Sequence, residues 1–303
     1  MDNEEEFVTE LNEVFDSVFA VIQSENGEDI PDVLYHYTTV DALIGISKGK
    51  KIWASNTRFL NDAKEFEFGR EIGTDSIKSI RSATDRETEV LKNLFCNQIL
   101  ETLRPNSEIQ NTYATCFSPN PDQLSQWRGY TAKTGAVCIG FRTELLRDLT
   151  TRGPISVSYN ADLFARCFVD LVERYLSLFE KYFRANNQVE ICQILKEVFA
   201  ANFAIMTSYF KHPGFKEESE IRIVFESWQE IHGVEFRSNS GLIVPYVEVD
   251  LASISDDFIV EVIVGPTNDP SLMTSSVTEF LKLMGKHDIQ LRTSEIPYRV
   301  AIG

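Results

Sequence analysis

The sequence predicts an α+β fold built on a split mixed or antiparallel sheet, and three observations predict it. Short strand-like runs recur along the chain without the regular βαβ alternation of a parallel sheet. A stretch at about 161–210 interrupts those runs with two wide apolar stripes at helical spacing. Residues 4–23 carry a third such stripe, set apart from the first strand by a polar linker.

Taken in order, Phe7, Leu11, Val14, Phe15, Val18, Phe19 and Ile22 lie on one helical face, and the acidic first turn suits the helix dipole. Residues 24–32 read as the linker. Residues 33–37 form a strand in which Tyr35 and Tyr37 fall opposite Leu34 and His36, because strand side chains alternate. Thr38 or Thr39 then caps a short helix ending near Gly49, and Ile52–Ser55 is a second strand.

Asp62 and Glu65 have capping-box spacing before a helix through the seventies, and a further helix covers 86–103, ending before Pro105. Strands follow at 112–117 and 136–141, with a helical turn between them that carries Trp127 and Tyr130. Phe164, Phe168, Leu171, Tyr175, Phe179 and Phe183 mark one helix of the interruption; Ile191, Leu195, Phe199, Phe203 and Met206 mark the other. Strands resume at 220–226, 243–249 and 258–265, before a helix at 271–285 and a last strand near 289–293. The expected organisation is an N-terminal helix and linker over 1–30, then a single domain over 31–303 with the helical hairpin inserted at about 161–210.

Composition narrows the function classes. The formal net charge of −17 disfavours non-specific binding to nucleic acid. No apolar run approaches the roughly 18 residues of a membrane span, and no secretory segment is recognisable at the start. The five cysteines contain no CxxC pair. The expectation is a reduced, cytoplasmic protein with free thiols and no membrane contact. The four histidines lack HxxxH or HExxH spacing, which argues against a metal site.

Three groups could carry chemistry. His36, between two tyrosines, either holds the strand end through a backbone hydrogen bond or donates to a ribose hydroxyl or phosphate. Ser118 ends a strand and is either a turn residue or a ligand; beyond it Trp127 and Tyr130, three apart on a helical turn, either bury against the core or stack on a flat ring. Glu218, Glu220 and Arg222 share one face if 218–225 is a strand, either as a solvated edge or as a site. In a site, Arg222 would keep Glu220 ionised, as a carboxylate must be to stabilise positive charge developing on a sugar. Asn61, Asp62 and Glu65 read either as a substrate clamp or, for Asp62 and Glu65, as the capping box, and the structural reading leads.

The order of these groups resembles one bacterial family. The series His36-Tyr37-Thr38, Trp53-Ala54-Ser55-Asn56, Asn61-Asp62 with Glu65, Cys116-Phe117-Ser118, Trp127 with Tyr130, and Gly135 through Phe141 is similar to the domain-of-unknown-function family 2971. So are Lys211-His212 with Glu218 through Arg222, Val264-Gly265-Pro266 and Ser294 through Arg299, so that the resemblance spans roughly 33–300. That family implies an association with abortive infection and anti-phage defence.

A histidine-tyrosine first strand, a serine-bearing middle strand and a late Glu-x-Glu strand also resemble the core of ADP-ribosyltransferases. This second resemblance implies NAD as substrate, with Glu220 as the catalytic glutamate and Glu218 orienting an acceptor. His36, Tyr37, Thr38, Ser118 and Arg222 would hold the dinucleotide, and Trp127 or Tyr130 would stack on its ring. The acceptor would be an unknown protein or nucleic acid. The leading expectation is an NAD-dependent ADP-ribosyltransferase-like effector or toxin, with these residues lining one cleft. The alternative is a non-catalytic sensor or interaction module that binds a nucleotide, a peptide or a defence partner protein.

Overall fold

In a computed structural model the described residues are 2–26, 30–60, 65–82, 89–104, 111–130, 135–226, 233–239, 241–252 and 257–298. The chain runs α1 (Asp2–Asn26), β1 (Val33–Thr39), α2 (Val40–Gly49), β2 (Lys51–Asn56), α3 (Glu65–Ser82), α4 (Glu89–Thr102) and β3 (Tyr113–Phe117). Next come α5 (Leu124–Tyr130), β4 (Ala136–Arg142), the single turn α6 (Thr143–Leu146), β5 (Ile155–Ser156), α7 (Ala161–Ala185) and α8 (Gln188–Ser208). The chain closes with β6 (Ile221–Phe225), β7 (Val234–Asn239), β8 (Leu242–Asp250), β9 (Ile259–Val264), α9 (Pro270–Leu283) and β10 (Gln290–Thr293). This is an α+β protein. The Asp62 end of the expected capping box lies outside the described residues.

The chain divides into two compact units. The helical unit comprises Met1–Gly27, Thr57–Thr112 and Val157–Gly214. In it α1 packs on α7 and α8, and α3 and α4 pack on the same pair. The apolar stripes meet as aromatic contacts, among them Phe95 on Phe179, Phe66 on Phe203 and Phe19 on Tyr209. Asn160 and Asn187 cap α7 and α8 by accepting from backbone N–H groups of their first turns.

The second unit, Glu28–Asn56, Tyr113–Ser156 and Phe215–Gly303, holds the strands. One sheet has the order β1-β4-β9-β10 and is antiparallel except for the parallel pair β9–β10; the other, β5-β6-β3-β2-β8-β7, is antiparallel throughout. The alternation read for β1 holds. Leu34, His36 and Thr38 pair with Phe141, Ile139 and Val137 and share their face, while Tyr35 and Tyr37 stand on the other. The inner face joins Ile52, Phe117, Ile221, Ile223, Val247 and Val249 of the six-stranded sheet in one apolar core, closed by α2 and α9 through Leu43, Ile46, Val277 and Leu281. Thr39 caps α2 by accepting from the N–H of Ala42, and Asp269 caps α9.

Two strands were not expected from the sequence: β5 has only two residues, and β7 is polar enough to read as a loop. No helix among the described residues is long and apolar enough to cross a membrane.

Candidate functional site

Among the described residues, the backbones of the two sheets are joined by one antiparallel bridge between Tyr35 and Ser118. The Tyr35 N–H donates to the Ser118 carbonyl at 2.9 Å, and the Ser118 N–H to the Tyr35 carbonyl at 2.8 Å. Beyond the bridge, β1 and β3 part, and His36 fills the gap. Its Nδ1 lies 2.9 Å from the Cys116 carbonyl oxygen, and its ring centroid is 5.8 Å from that of Phe117. Burial holds the imidazole below its usual pKa; the Cys116 hydrogen bond opposes this, and the charge of Arg237 adds to it. The neutral ring therefore donates through Nδ1 to the carbonyl, which leaves Nε2 as an acceptor. His36 is the strand-end brace of the structural alternative, directed toward the core side.

The outer face is organised in cross-strand rows. Glu261, Gly140, Tyr35 and Ser118 stand side by side on β9, β4, β1 and the end of β3. Gly140 is needed there, because a Cβ would come within 3.1 Å of the Tyr35 ring and 3.2 Å of Glu261. The ring crosses the glycine to hydrogen-bond Glu261, and burial, with that acceptor, pushes the Tyr35 hydroxyl up to about 12. The next row is Arg292, Ile263, Cys138 and Tyr37, and Arg292 Nε donates to Glu261 Oε1 at 2.6 Å.

On β3, Cys116 is two residues from Ser118 and opposite Arg222, so Arg222 also stands on the outer face. It is fully buried and forms a two-armed pair with Glu220, Nε to Oε1 at 2.8 Å and Nη2 to Oε2 at 3.1 Å. Continuing the β3–β6 register by one residue sets Glu220 opposite Ser118. Glu218 does not share this strand face, as the alternation read from sequence requires; it ends a 3-10 turn. Ser219 between the two glutamates has φ 45°, a left-handed conformation that costs a non-glycine residue about 1–2 kcal/mol.

The remaining candidates are committed to structure. Ser118 Oγ accepts from the Asn120 N–H, as in a turn. Thr38 is buried on the core face, opposite Val137. Tyr37 donates to the Asn120 carbonyl at 2.7 Å and accepts from the Gln123 N–H at 2.9 Å; burial raises its pKa. Trp127 is fully buried, with Tyr37 edge-on at 4.8 Å and Gly265 so close that a Cβ there would sit 2.7 Å from the indole. No face of that indole is open for stacking on a nicotinamide ring. Tyr130 ends α5, and its side chain lies outside the described residues.

Sequence reasoning missed Asp122, the hub of this face. Its carboxylate accepts from Trp127 Nε1 at 2.6 Å, Ser294 Oγ at 2.6 Å and the Glu295 N–H at 2.8 Å. An Asn-Pro-Asp turn is a weak local signal, and the contacts across 172 residues have none. Around the hub runs an open groove of about 660 Å³ lined by Asn120–Gln123, Arg292 and Glu295–Pro297. Arg292 makes no hydrogen bond to a described residue beyond the one from Nε. Gln123 Nε2 donates to the Glu217 carbonyl and Gln126 Nε2 to that of Glu218 at 3.4 Å, tying the groove wall to the glutamate turn. Among the described residues no group of three or more His, Cys, Asp or Glu side chains is arranged to hold a metal.

A family model described as a protein of unknown function (DUF2971) matches residues 126–223. The match supports the family resemblance over that stretch, from α5 through the helical hairpin to β6, and includes Glu220 and Arg222. It leaves His36 and Ser118 outside. No curated protein and no solved structure matches the chain.

Proposed function

We propose that this chain is a non-catalytic binding module whose groove takes an extended peptide segment. The observation that carries the reading is the preorganised groove at 120–123 and 292–297, held by three hydrogen bonds to Asp122 and two to Tyr37. Arg292 suits peptide carbonyls, and Ile296 and Pro297 give an apolar rim. The neighbouring carboxylates of Asp122, Glu261 and Glu295 make a phosphate dianion a poorer fit. A sensor or partner-binding role in anti-phage defence is the form this takes if the family resemblance extends to function.

A second reading, glycosyl transfer from NAD by an ADP-ribosyltransferase-like enzyme, is favoured by the buried Glu220–Arg222 pair beside Ser118 on neighbouring strands. It is weakened by His36, which stands on the opposite side of the strands from that pair, and by the closed faces of Trp127.

One set of measurements separates the two. A peptide array is probed with the protein, and the binders are titrated against wild type, Arg292→Gln and Glu220→Gln. The binding reading expects Arg292→Gln to weaken affinity by about tenfold, equivalent to 1.4 kcal/mol, with Glu220→Gln unchanged and NAD not consumed. Peptide affinities indifferent to Arg292→Gln defeat it. NAD consumption that disappears in Glu220→Gln establishes the second reading in its place.

A further inference from the structure

The groove beside Asp122 carries more negative than positive charge. Its ionisable lining residues are Asp122, Arg292 and Glu295. The charge of Arg292 is already met, because its Nε donates to Glu261 Oε1 at 2.6 Å. That pair adds no net charge, so the carboxylates of Asp122 and Glu295 are the excess. Arg128 stands at the ring of Tyr298, 5.9 Å from its centre, and is not part of the lining. Both carboxylates have acceptor sites to spare. A carboxylate offers about four, and Asp122 uses three, two on Oδ1 and one on Oδ2. Glu295 is exposed, and its carboxylate accepts from no described residue.

We infer that the occupant of the groove is a basic segment. It is an extended peptide that sets a lysine or arginine against Asp122 and Glu295, and an apolar side chain against Ile296 and Pro297. This rests on the peptide reading of the groove and names the partner. An ammonium or guanidinium brings only donors, which suits two carboxylates with open acceptor sites. Arg292 keeps its Nη groups for backbone carbonyls while its charge stays with Glu261. An acidic segment would meet the same two carboxylates as like charges. The net charge of −17 draws basic partners from a distance but does not place them. The groove does: Asp122 is fixed by its three donors, one of which is the N–H of Glu295 itself.

The test uses matched extended peptides carrying lysine, glutamine or glutamate at each position in turn, titrated against the full chain by fluorescence anisotropy. At one position of the tightest binder, glutamine for lysine is expected to weaken binding by about threefold, and glutamate by about tenfold. Glu295→Lys brings the groove into charge balance and is expected to abolish the preference. Glu173→Lys makes the same change of charge at an exposed position of α7 and is expected to leave the preference intact. Binders that weaken in Arg292→Gln yet take all three forms equally overturn the basic segment and leave the peptide reading standing. A preference that survives Glu295→Lys overturns it too. So does one that Glu173→Lys also abolishes, since the attraction then belongs to the whole chain. Affinities indifferent to Arg292→Gln, or the absence of any binding peptide, remove the peptide reading and this inference together.

Discussion

The two ends of the six-stranded sheet are inversions of each other. At the β5–β6 end a guanidinium and a carboxylate are buried; at the β7 end large apolar side chains stand in water. The same alternation of side chains runs through both, so what differs is what lies over each face. Around β6, Arg222 is fully covered and its charge is met by both oxygens of Glu220. Around β7 no described element covers Phe236 or Ile243. A buried pair specifies one arrangement of its surroundings at an energetic cost, whereas an exposed strip specifies none.

The comparison is broken most directly at its buried end. Arg222→Ala strands Glu220 without its partner and is expected to cost about 3–5 kcal/mol in denaturant unfolding. Replacing both members together, Glu220→Leu with Arg222→Met, should recover most of that loss. A double variant as unstable as Arg222→Ala would mean that the pair is held by more than its mutual charge.

A smaller effect belongs to His36, which hydrogen-bonds the carbonyl of Cys116 on β3. Its folded pKa lies below the ordinary 6.5, so the unfolded chain binds the extra proton. The stability it contributes is complete above pH 6.5 and is lost as pH falls toward the folded value, by at most about 1.4 kcal/mol per pH unit. Urea midpoints at descending pH should show this slope, and His36→Gln should flatten it. The smallest effect is expected at the exposed end: Phe236→Lys should change the stability of the chain by less than about 0.5 kcal/mol. A larger loss would show that the strip is covered.

Local periodicity made much of the architecture legible. The stripes at 4–23 and 161–210 became α1, α7 and α8, and the Thr39 cap and the alternation in β1 were readable residue by residue. β7 was missed because its own side chains are almost all exposed and polar residues make up most of it, although Gly241 with φ 85° marks the hairpin turn. The candidate site was legible in residue type but not in direction. Arg222 and Glu220 were correctly seen as neighbours on one side. That His36 lies on the other side depends on Tyr35 pairing with Ser118, a contact across more than eighty residues that no local pattern encodes. Glu218 was misread because Ser219 leaves extended geometry, which a serine gives no warning of.

The Tyr35–Ser118 bridge has a consequence for how the protein breathes. Two sheets that share a core are joined along their backbones, among the described residues, by a single reciprocal pair of amides. The protons of Tyr35 and Ser118 are therefore a gauge of that seam. If the seam opens before the rest of either ladder, they exchange with solvent together, ahead of their neighbours in β4 and β6, and their common rate reads the free energy of parting the two sheets.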